Sequence, residues 1–255
     1  MEIFSYVVVI LLGLTIGSFL NVCIYRLPEG RSIIKPRSFC PKCGERIRAL
    51  DNIPVLSYLL LKGRCRNCGQ RISLQYPVVE TASALLLVLL YRRFGLSMQF
   101  LGYGIFTLAL LVVFFTDLNK RIIPDRVTYP SIALGLAFAA FNREIVGSLL
   151  GMVLGFGILL IAALFGRLIF RKEAMGGGDI KLAALVGAFL GWRLLLVSLF
   201  LAFLLGAILG GVLMALRGKA RGSEIAFGPF IVAASIVGLF WGAELIAAYL
   251  RFLWR

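Results

Sequence analysis

Eight apolar segments leave this 255-residue chain few folds to choose from; they lie at roughly 2–24, 77–93, 98–117, 126–141, 145–169, 179–191, 193–216 and 228–251. The longer ones reach the about 20 residues that a helix needs to cross a hydrocarbon layer. In lipid every backbone N–H and C=O must be paired within the structure, so the segments predict helices. The expected fold is an all-α polytopic membrane protein of about eight transmembrane helices. Segments 77–93, 126–141 and 179–191 are short, which leaves a full crossing open for each. Only Gly191-Trp192-Arg193 separates the last of these from 193–216, as a tight reversal or a kink. The first segment carries Glu2, has no Lys or Arg before it and shows no small-x-small cleavage site before Asn21. It is expected to persist as a membrane helix.

The chain is 60% hydrophobic with a mean hydropathy of +0.96, and it has no histidine. That absence excludes Ser-His and Cys-His nucleophile systems and a histidine-held catalytic zinc. Hydrolysis by such a chain must use carboxylates, lysine or a metal held without imidazole. The net charge of +15 would suit nucleic acid in a soluble protein. Here it is expected to mark cytoplasmic loops, with no nucleic-acid partner. The stretches 25–76, 118–126, 167–181 and 217–221 hold 21 of the 27 Lys and Arg residues. That set is predicted to face the cytoplasm, with both termini outside. Asp117, Asp125 and Asp179 then fall on the cytoplasmic side.

Small residues recur at helical spacing in Gly13/Gly17, Gly151/Gly155 and Gly206/Gly210. Packing between helices of one chain is expected over dimerisation.

The sizeable polar region, 25–76, contains "CPKCG" and "CRNCG", with 21 residues between the inner cysteines. Two CxxC turns at such spacing offer four thiolates, Cys40, Cys43, Cys65 and Cys68, to one tetrahedral zinc. A loop this small cannot build an apolar core, so a structural metal staple is expected. A cytoplasmic position argues against disulfides. Four ligands leave no open position for catalysis. Cys23, inside the first apolar segment, reads as a buried thiol.

Few acids lie in or beside the apolar segments: Glu80, Asp117, Asp125, Asp179, Glu224 and Glu244. Asp179 follows the glycine run of "GGGDIKL" and opens a helix, where capping is the plain reading. Asp125, after Pro124, reads the same way. Glu80 lies near a helix start, where the dipole tolerates an acid. Asp117 ends "GIFTLALLVVFFTD", and neither the C-terminal end of a helix dipole nor an apolar setting favours an anion there. An acid so placed is a functional candidate. If the helices carrying Asp117 and Asp179 are neighbours, the two carboxylates can share one water and act as an acid–base pair. Gly176, Gly177 and Gly178, lacking Cβ atoms, would then let an extended substrate backbone approach. Glu80, Asp125 and Lys181 are candidate supporting residues.

At these residues the chain resembles the bacterial type IV prepilin peptidases, which are membrane aspartyl proteases. The resemblance runs through "SFLNVCIYRLP" (18–28), "CPKCG", "NIPVLSYLLLKGRCRNCG" (52–69), "YPVVE" (76–80), "TDLNKRIIPD" (116–125), "GGGDIKL" (176–182) and "FGPF" (227–230). The GxGD element alone is a weak signal; all seven in order are specific. The resemblance puts the catalytic pair on Asp117 and Asp179 and the zinc ligands on Cys40, Cys43, Cys65 and Cys68. The family often has Met or a similar residue where this chain has Gly177. The resemblance implies removal of the short basic leader of prepilins and pseudopilins at the cytoplasmic face of the bacterial inner membrane, with the cut after Gly. It also implies N-methylation of the new N-terminus from S-adenosylmethionine. The domains would be a first transmembrane helix (1–24), a cytoplasmic tetracysteine loop (25–76) and a transmembrane protease domain (77–255).

Three rival classes fit less well. A presenilin-like peptidase would not need the paired CxxC turns. A non-enzymatic zinc scaffold would tolerate Asn at 117 and 179. A proton-coupled transporter would place its acids nearer the midplane. The basic excess of 25–76 suits a basic leader poorly, so that loop is expected to face anionic lipid headgroups, with Glu80 as the alternative site for the leader.

Overall fold

A computed structural model of the chain describes residues 2–170, 175–217 and 226–253. Glu224 and the basic residues Arg171, Lys172, Lys219 and Arg221 lie outside the described residues. Helices α1 (Glu2–Arg26), α2 (Leu56–Leu60), α3 (Gln75–Phe94), α4 (Met98–Lys120), α5 (Asp125–Phe141), α6 (Ile145–Phe170), α7 (Gly177–Arg217) and α8 (Gly228–Leu253) form the fold, with no strand among the described residues. Each expected apolar segment is helical. Gly191 (φ 71°, ψ 172°) breaks α7 between 177–190 and 192–217. Positive φ of this kind is open to glycine and costly for other residues. Five helices, α1, α4, α6, α7 and α8, are long and apolar enough to cross a membrane. α5, at 17 residues, falls below that measure by length, and α3, at 20, by its polar and charged residues. The chain is a multi-pass membrane protein.

Two compact units divide the chain, Met1–Val112 and Val113–Arg255, and α4 runs from the first into the second. In the first unit α1 packs along α3. A Cβ on Gly13 would lie 2.5 Å from the Ala84 Cα, and one on Gly17 would lie 2.6 Å from the Glu80 Cα. Gly13/Gly17 is therefore an intrachain contact, with the two backbones in near touch. Beside it the Asn21 amide donates to the carbonyls of Gly17 (3.3 Å) and Tyr76 (3.1 Å). The segment between α1 and α3 carries the four cysteines.

In the second unit α7 packs against α5, α6 and α8. Its first half is buried nearly all round: Leu182, Ala183, Leu185, Val186 and Ala188 have no exposed surface. A helix apolar on every face belongs in a core. This explains why 179–191 is too short and too uniformly apolar for a simple surface span. Gly155 meets the carbonyl of Ala183, where a Cβ would approach to 2.5 Å. Gly151/Gly155 is therefore also an intrachain contact. Gly206 lies near Phe227, whereas a Cβ on Gly210 would meet nothing within 4 Å.

Candidate active site and metal centre

The cysteine segment folds as two turns that match bond for bond. In the first, the Cys40 N–H donates to the Glu45 carbonyl (2.9 Å) and the Gly44 N–H to the Cys40 carbonyl (2.9 Å). In the second, the Cys65 N–H donates to the Gln70 carbonyl (2.8 Å) and the Gly69 N–H to the Cys65 carbonyl (3.0 Å). Antiparallel bridges, Phe39 with Arg46 and Arg64 with Arg71, close them. Gly44 and Gly69 take φ of 74° and 69°, the left-handed conformation that each turn requires.

The four sulfurs lie within 4.8 Å of one another, and the Sγ atoms of Cys40 and Cys68 are 3.9 Å apart. Four thiolates at about 2.3 Å from one zinc stand about 3.8 Å from each other. The donor set and its spacing therefore fit zinc. The Cys65 thiol is pulled down to about 7, chiefly by the backbone N–H groups of Cys68 and Asn67. Cys43, in the same cluster, is pushed up to about 11, so deprotonation of the four thiols is coupled to the arrival of a metal. Arg66, between the second pair of cysteines, donates from Nε and Nη2 to Asp51, the shortest bond being 2.6 Å. That pairing holds the Asp51 carboxyl below the usual range.

Glu80 is buried at 6% exposure. Its carboxylate accepts the Val55 N–H (2.8 Å) and the Ser18 hydroxyl. Val55 has φ 61°, a costly conformation for a β-branched residue. Glu80 thus ties α1 and α3 to the cysteine segment.

The second unit gathers the ends of four helices. Asp117 lies in the last turn of α4, which stops where Arg121 turns left-handed (φ 54°). Ile123 and Pro124 follow, and α5 begins at Asp125. Gly176 precedes α7, with Asp179 in its first turn, and Gly228 begins α8. Ile123 joins these ends. A Cβ on Gly178 would lie 3.0 Å from the Ile123 Cβ, and one on Gly228 would lie 3.4 Å from the Ile123 Cδ1.

Asp117 and Asp179 are buried at 6% and 8% exposure. The Gly228 N–H hydrogen-bonds the Asp117 carboxylate, while Asp117 Oδ2 is buried with no partner among the described residues. The Gly176 N–H hydrogen-bonds the Asp179 carboxylate. Asp179 is therefore the third helical residue reaching back to the residue before the helix, as in a capping box. Asp179 lies within reach of the charge of Asp117. Two carboxylates in such a setting do not both ionise readily and can hold one proton between them.

Asp125 departs from the expected cap. It is the first residue of α5, after an N-cap Pro124 with no capping side-chain bond. It pairs instead with Lys181, one turn beyond the start of α7, and Lys181 lies 5.5 Å from the centre of the Tyr129 ring. Of the three glycines before Asp179, Gly178 packs on Ile123, Gly176 faces Asp179 itself, and Gly177 faces open space. Gly228 is the residue that sequence reasoning passed over. It sits inside "FGPF", and only its contact with Asp117 gives it a role.

Fold and sites together define a helical membrane protein with a candidate paired-carboxylate centre in one unit and a candidate four-cysteine metal site in the other. Residues 11–94 match the Bacterial Peptidase A24 N-terminal domain, and residues 104–211 match the Type IV leader peptidase family. The chain belongs to the type IV leader peptidase family. It is 37% identical to the prepilin leader peptidase/N-methyltransferase of Pseudomonas putida, over 95% of this chain and 92% of that protein. The protein of the same description from Pseudomonas aeruginosa is 37% identical over 95% and 92%. That of Legionella pneumophila is 36% identical over 98% and 96%. No solved structure matches the chain.

Proposed function

We propose that this chain is a prepilin leader peptidase and N-methyltransferase, with Asp117 and Asp179 as its catalytic pair. The observation that carries the pair is their meeting, buried, at the ends of α4 and α7 in a fold with no histidine. The ionised carboxylate takes a proton from water, and the water oxygen bonds to the scissile carbonyl carbon. The protonated carboxylate hydrogen-bonds the carbonyl oxygen as it gains charge. The C–N bond then breaks, and the leaving nitrogen takes a proton from the pair. This is general acid–base catalysis with one proton shared by two groups.

The substrates are type IV prepilins and pseudopilins, cut after Gly where a basic leader meets an apolar helix. The strong bias of Lys and Arg toward one set of loops supports an inner-membrane protein with its site at the cytoplasmic face. The domains follow as 1–24, 25–76 and 77–255, with α3, α5 and the first half of α7 completing about eight membrane passages. Zinc held by Cys40, Cys43, Cys65 and Cys68 is structural. S-adenosylmethionine would supply the methyl group for the new N-terminal amine. Gly177 is where a substrate backbone can approach Asp179, because nothing occupies its open side. Membrane lipids are partners of the basic loop, since Glu80 is committed to Val55 and is closed to a leader.

The test is prepilin cleavage in membranes by the wild type and by Asp117→Asn, Asp179→Asn and Asp125→Asn, each checked for zinc content. The first two should fold and not cut, and the third should cut. Near wild-type cleavage by either of the first two would remove the pair.

A further inference from the structure

The motif "SFLNVCIYRLP" ends on an arginine that the peptidase chemistry leaves unused. Arg26 is the last residue of α1, yet it is buried at 5% exposure. Gly30 (φ 68°) turns the chain back over the helix end, and the Arg31 N–H bonds the Arg26 carbonyl (3.1 Å). This return brings two backbone carbonyls onto the guanidinium, Ser32 at 3.1 Å and Arg37 at 3.5 Å. Carbonyls satisfy donors, but they do not neutralise a charge.

Beside Arg26 lies a cavity of about 350 Å³, lined by Arg26, Arg31, Ser32, Lys35, Pro36 and Phe39. Three of its six lining residues are cations. Arg31 is paired with Glu29 (3.0 Å). Arg26 and Lys35 make no ion pair among the described residues. The Ser32 hydroxyl oxygen already accepts the N–H groups of Ile34 (3.3 Å) and Lys35 (3.4 Å), so its own O–H is oriented to donate elsewhere. The surface of the space is largely apolar, from side-chain stems with Pro36 and Phe39, and the cationic residues border it, so it suits an anion that carries an apolar part.

The place of Arg26 at the end of α1 selects the source of that anion. At 25 residues, α1 is about 37 Å long, against a hydrocarbon core of about 30 Å. Arg26 therefore emerges among lipid headgroups. Phe39 and Pro36 give the cavity an apolar wall suited to glycerol and the first acyl carbons.

We propose that this cavity binds the phosphate of an anionic phospholipid and so anchors the cysteine segment at the membrane surface. The proposal rests on α1 crossing the membrane and makes the lipid contact of the basic loop specific to one site. It does not depend on the catalytic pair, and its test reads binding alone.

The test titrates phosphatidylglycerol or phosphatidylcholine into the full-length, zinc-loaded protein in detergent and counts bound lipids by native mass spectrometry. One phosphatidylglycerol should be retained per chain, with phosphatidylcholine far weaker. Arg31→Gln with Lys35→Gln should weaken it about thirtyfold, the effect of two charges at a membrane surface. Arg48→Gln with Lys62→Gln removes the same charge from the same loop, outside the cavity, and should leave binding unchanged. If the paired variant loses zinc, Lys35→Glu alone provides the reading, since its ammonium makes no ion pair or hydrogen bond among the described residues. Equal losses in both paired variants would reduce the contact to diffuse attraction and overturn the site. So would the absence of a retained lipid. Displacement by millimolar inorganic phosphate would overturn the headgroup assignment in favour of a free anion.

Discussion

Gly228 and Asp117 are in backbone-to-carboxylate contact: a Cβ on Gly228 would lie 2.5 Å from Asp117 Oδ2 and 3.1 Å from its Cγ. The same glycine's N–H bonds that carboxylate. Two elements separated by more than a hundred residues therefore fix one side chain of the candidate pair. Gly228→Ala must push the carboxylate aside, because the backbone of α8 cannot move without its whole buried face. A misplacement near 1 Å costs about a hundredfold in rate. Cleavage of a prepilin by Gly228→Ala should fall by about that factor in kcat, with KM little changed and zinc content intact. Gly210→Ala, whose added methyl meets nothing and lies outside the site, should cut within severalfold of wild type. Equal rates for the two variants would remove Gly228 from the site.

The ion pair of Asp125 with Lys181 is partly exposed, at 56% and 26% of the respective side chains. Pairs of this kind contribute about 0–1 kcal/mol. Asp125→Asn should therefore retain cleavage within about fivefold and shift thermal stability little, a loss well below that of removing a transition-state contact. Detergent-solubilised protein followed by a melting curve and a prepilin assay reads both quantities. A loss as deep as that of Asp117→Asn would make Asp125 part of the chemistry.

The sequence pattern exposes the helices, the cysteine turns and the acids at helix ends because each is a local signal. Apolar runs report helices in lipid, and CxxCG reports a turn whatever surrounds it. The short segment 179–191 is ambiguous in sequence for a physical reason. It is the buried centre of the second unit, so it has no polar face to mark it and no need to be long. Asp125 misleads for the opposite reason. Its position after Pro124 looks like a cap, but its partner is Lys181, 56 residues away. Gly228 and Ile123 are silent in sequence because their roles consist of contacts between remote elements. Gly178 reads as an opening for substrate, but Ile123 fills its open side.

Removal of the metal should act on the first unit. The two cysteine turns share no apolar core: between α1 and α3 the buried residues from 30 to 74 are Cys40 and Gly63, and neither is aliphatic. One zinc per chain is expected by elemental analysis. Cys43→Ser or a strong chelator should release it and make 30–75 sensitive to protease, while the helices of the second unit stay resistant. Binding of structural zinc by four thiolates is coupled to folding of the loop that supplies them. A fully protease-resistant loop in the zinc-free protein would show that the staple is dispensable.

Glu80 acts through Val55. Its carboxylate accepts the N–H of a residue held at φ 61°. A hydrogen bond to a charged group contributes about 1.5–3 kcal/mol. Glu80→Ala should release Val55 from its conformation, lower thermal stability by about that amount and admit protease near 53–56. Glu80→Gln keeps an acceptor oxygen and should recover most of the stability. Both variants should keep prepilin cleavage within about tenfold when assayed below their melting range, since neither changes Asp117 or Asp179. Loss of cleavage in a stable Glu80→Gln protein would give Glu80 a direct part in the reaction.

The glycine pairs separate packing within the chain from association between chains. Gly17 faces the backbone of Glu80, with 2.6 Å to a Cβ placed there, and has no room for a side chain. Gly17→Val forces α1 away from α3 and should destabilise the first unit by about 1–3 kcal/mol, the range for overpacking a close contact. The oligomeric state in detergent, read by light scattering, should not change. Gly210 has no neighbour within 4 Å of its Cβ position. Gly210→Ala should be neutral or slightly stabilising within the chain, because alanine costs less than glycine in a helix by about 1 kcal/mol. If Gly17→Val instead altered the oligomeric state while the monomer's stability held, the α1–α3 crossing would be an interface between chains rather than a packing seam within one.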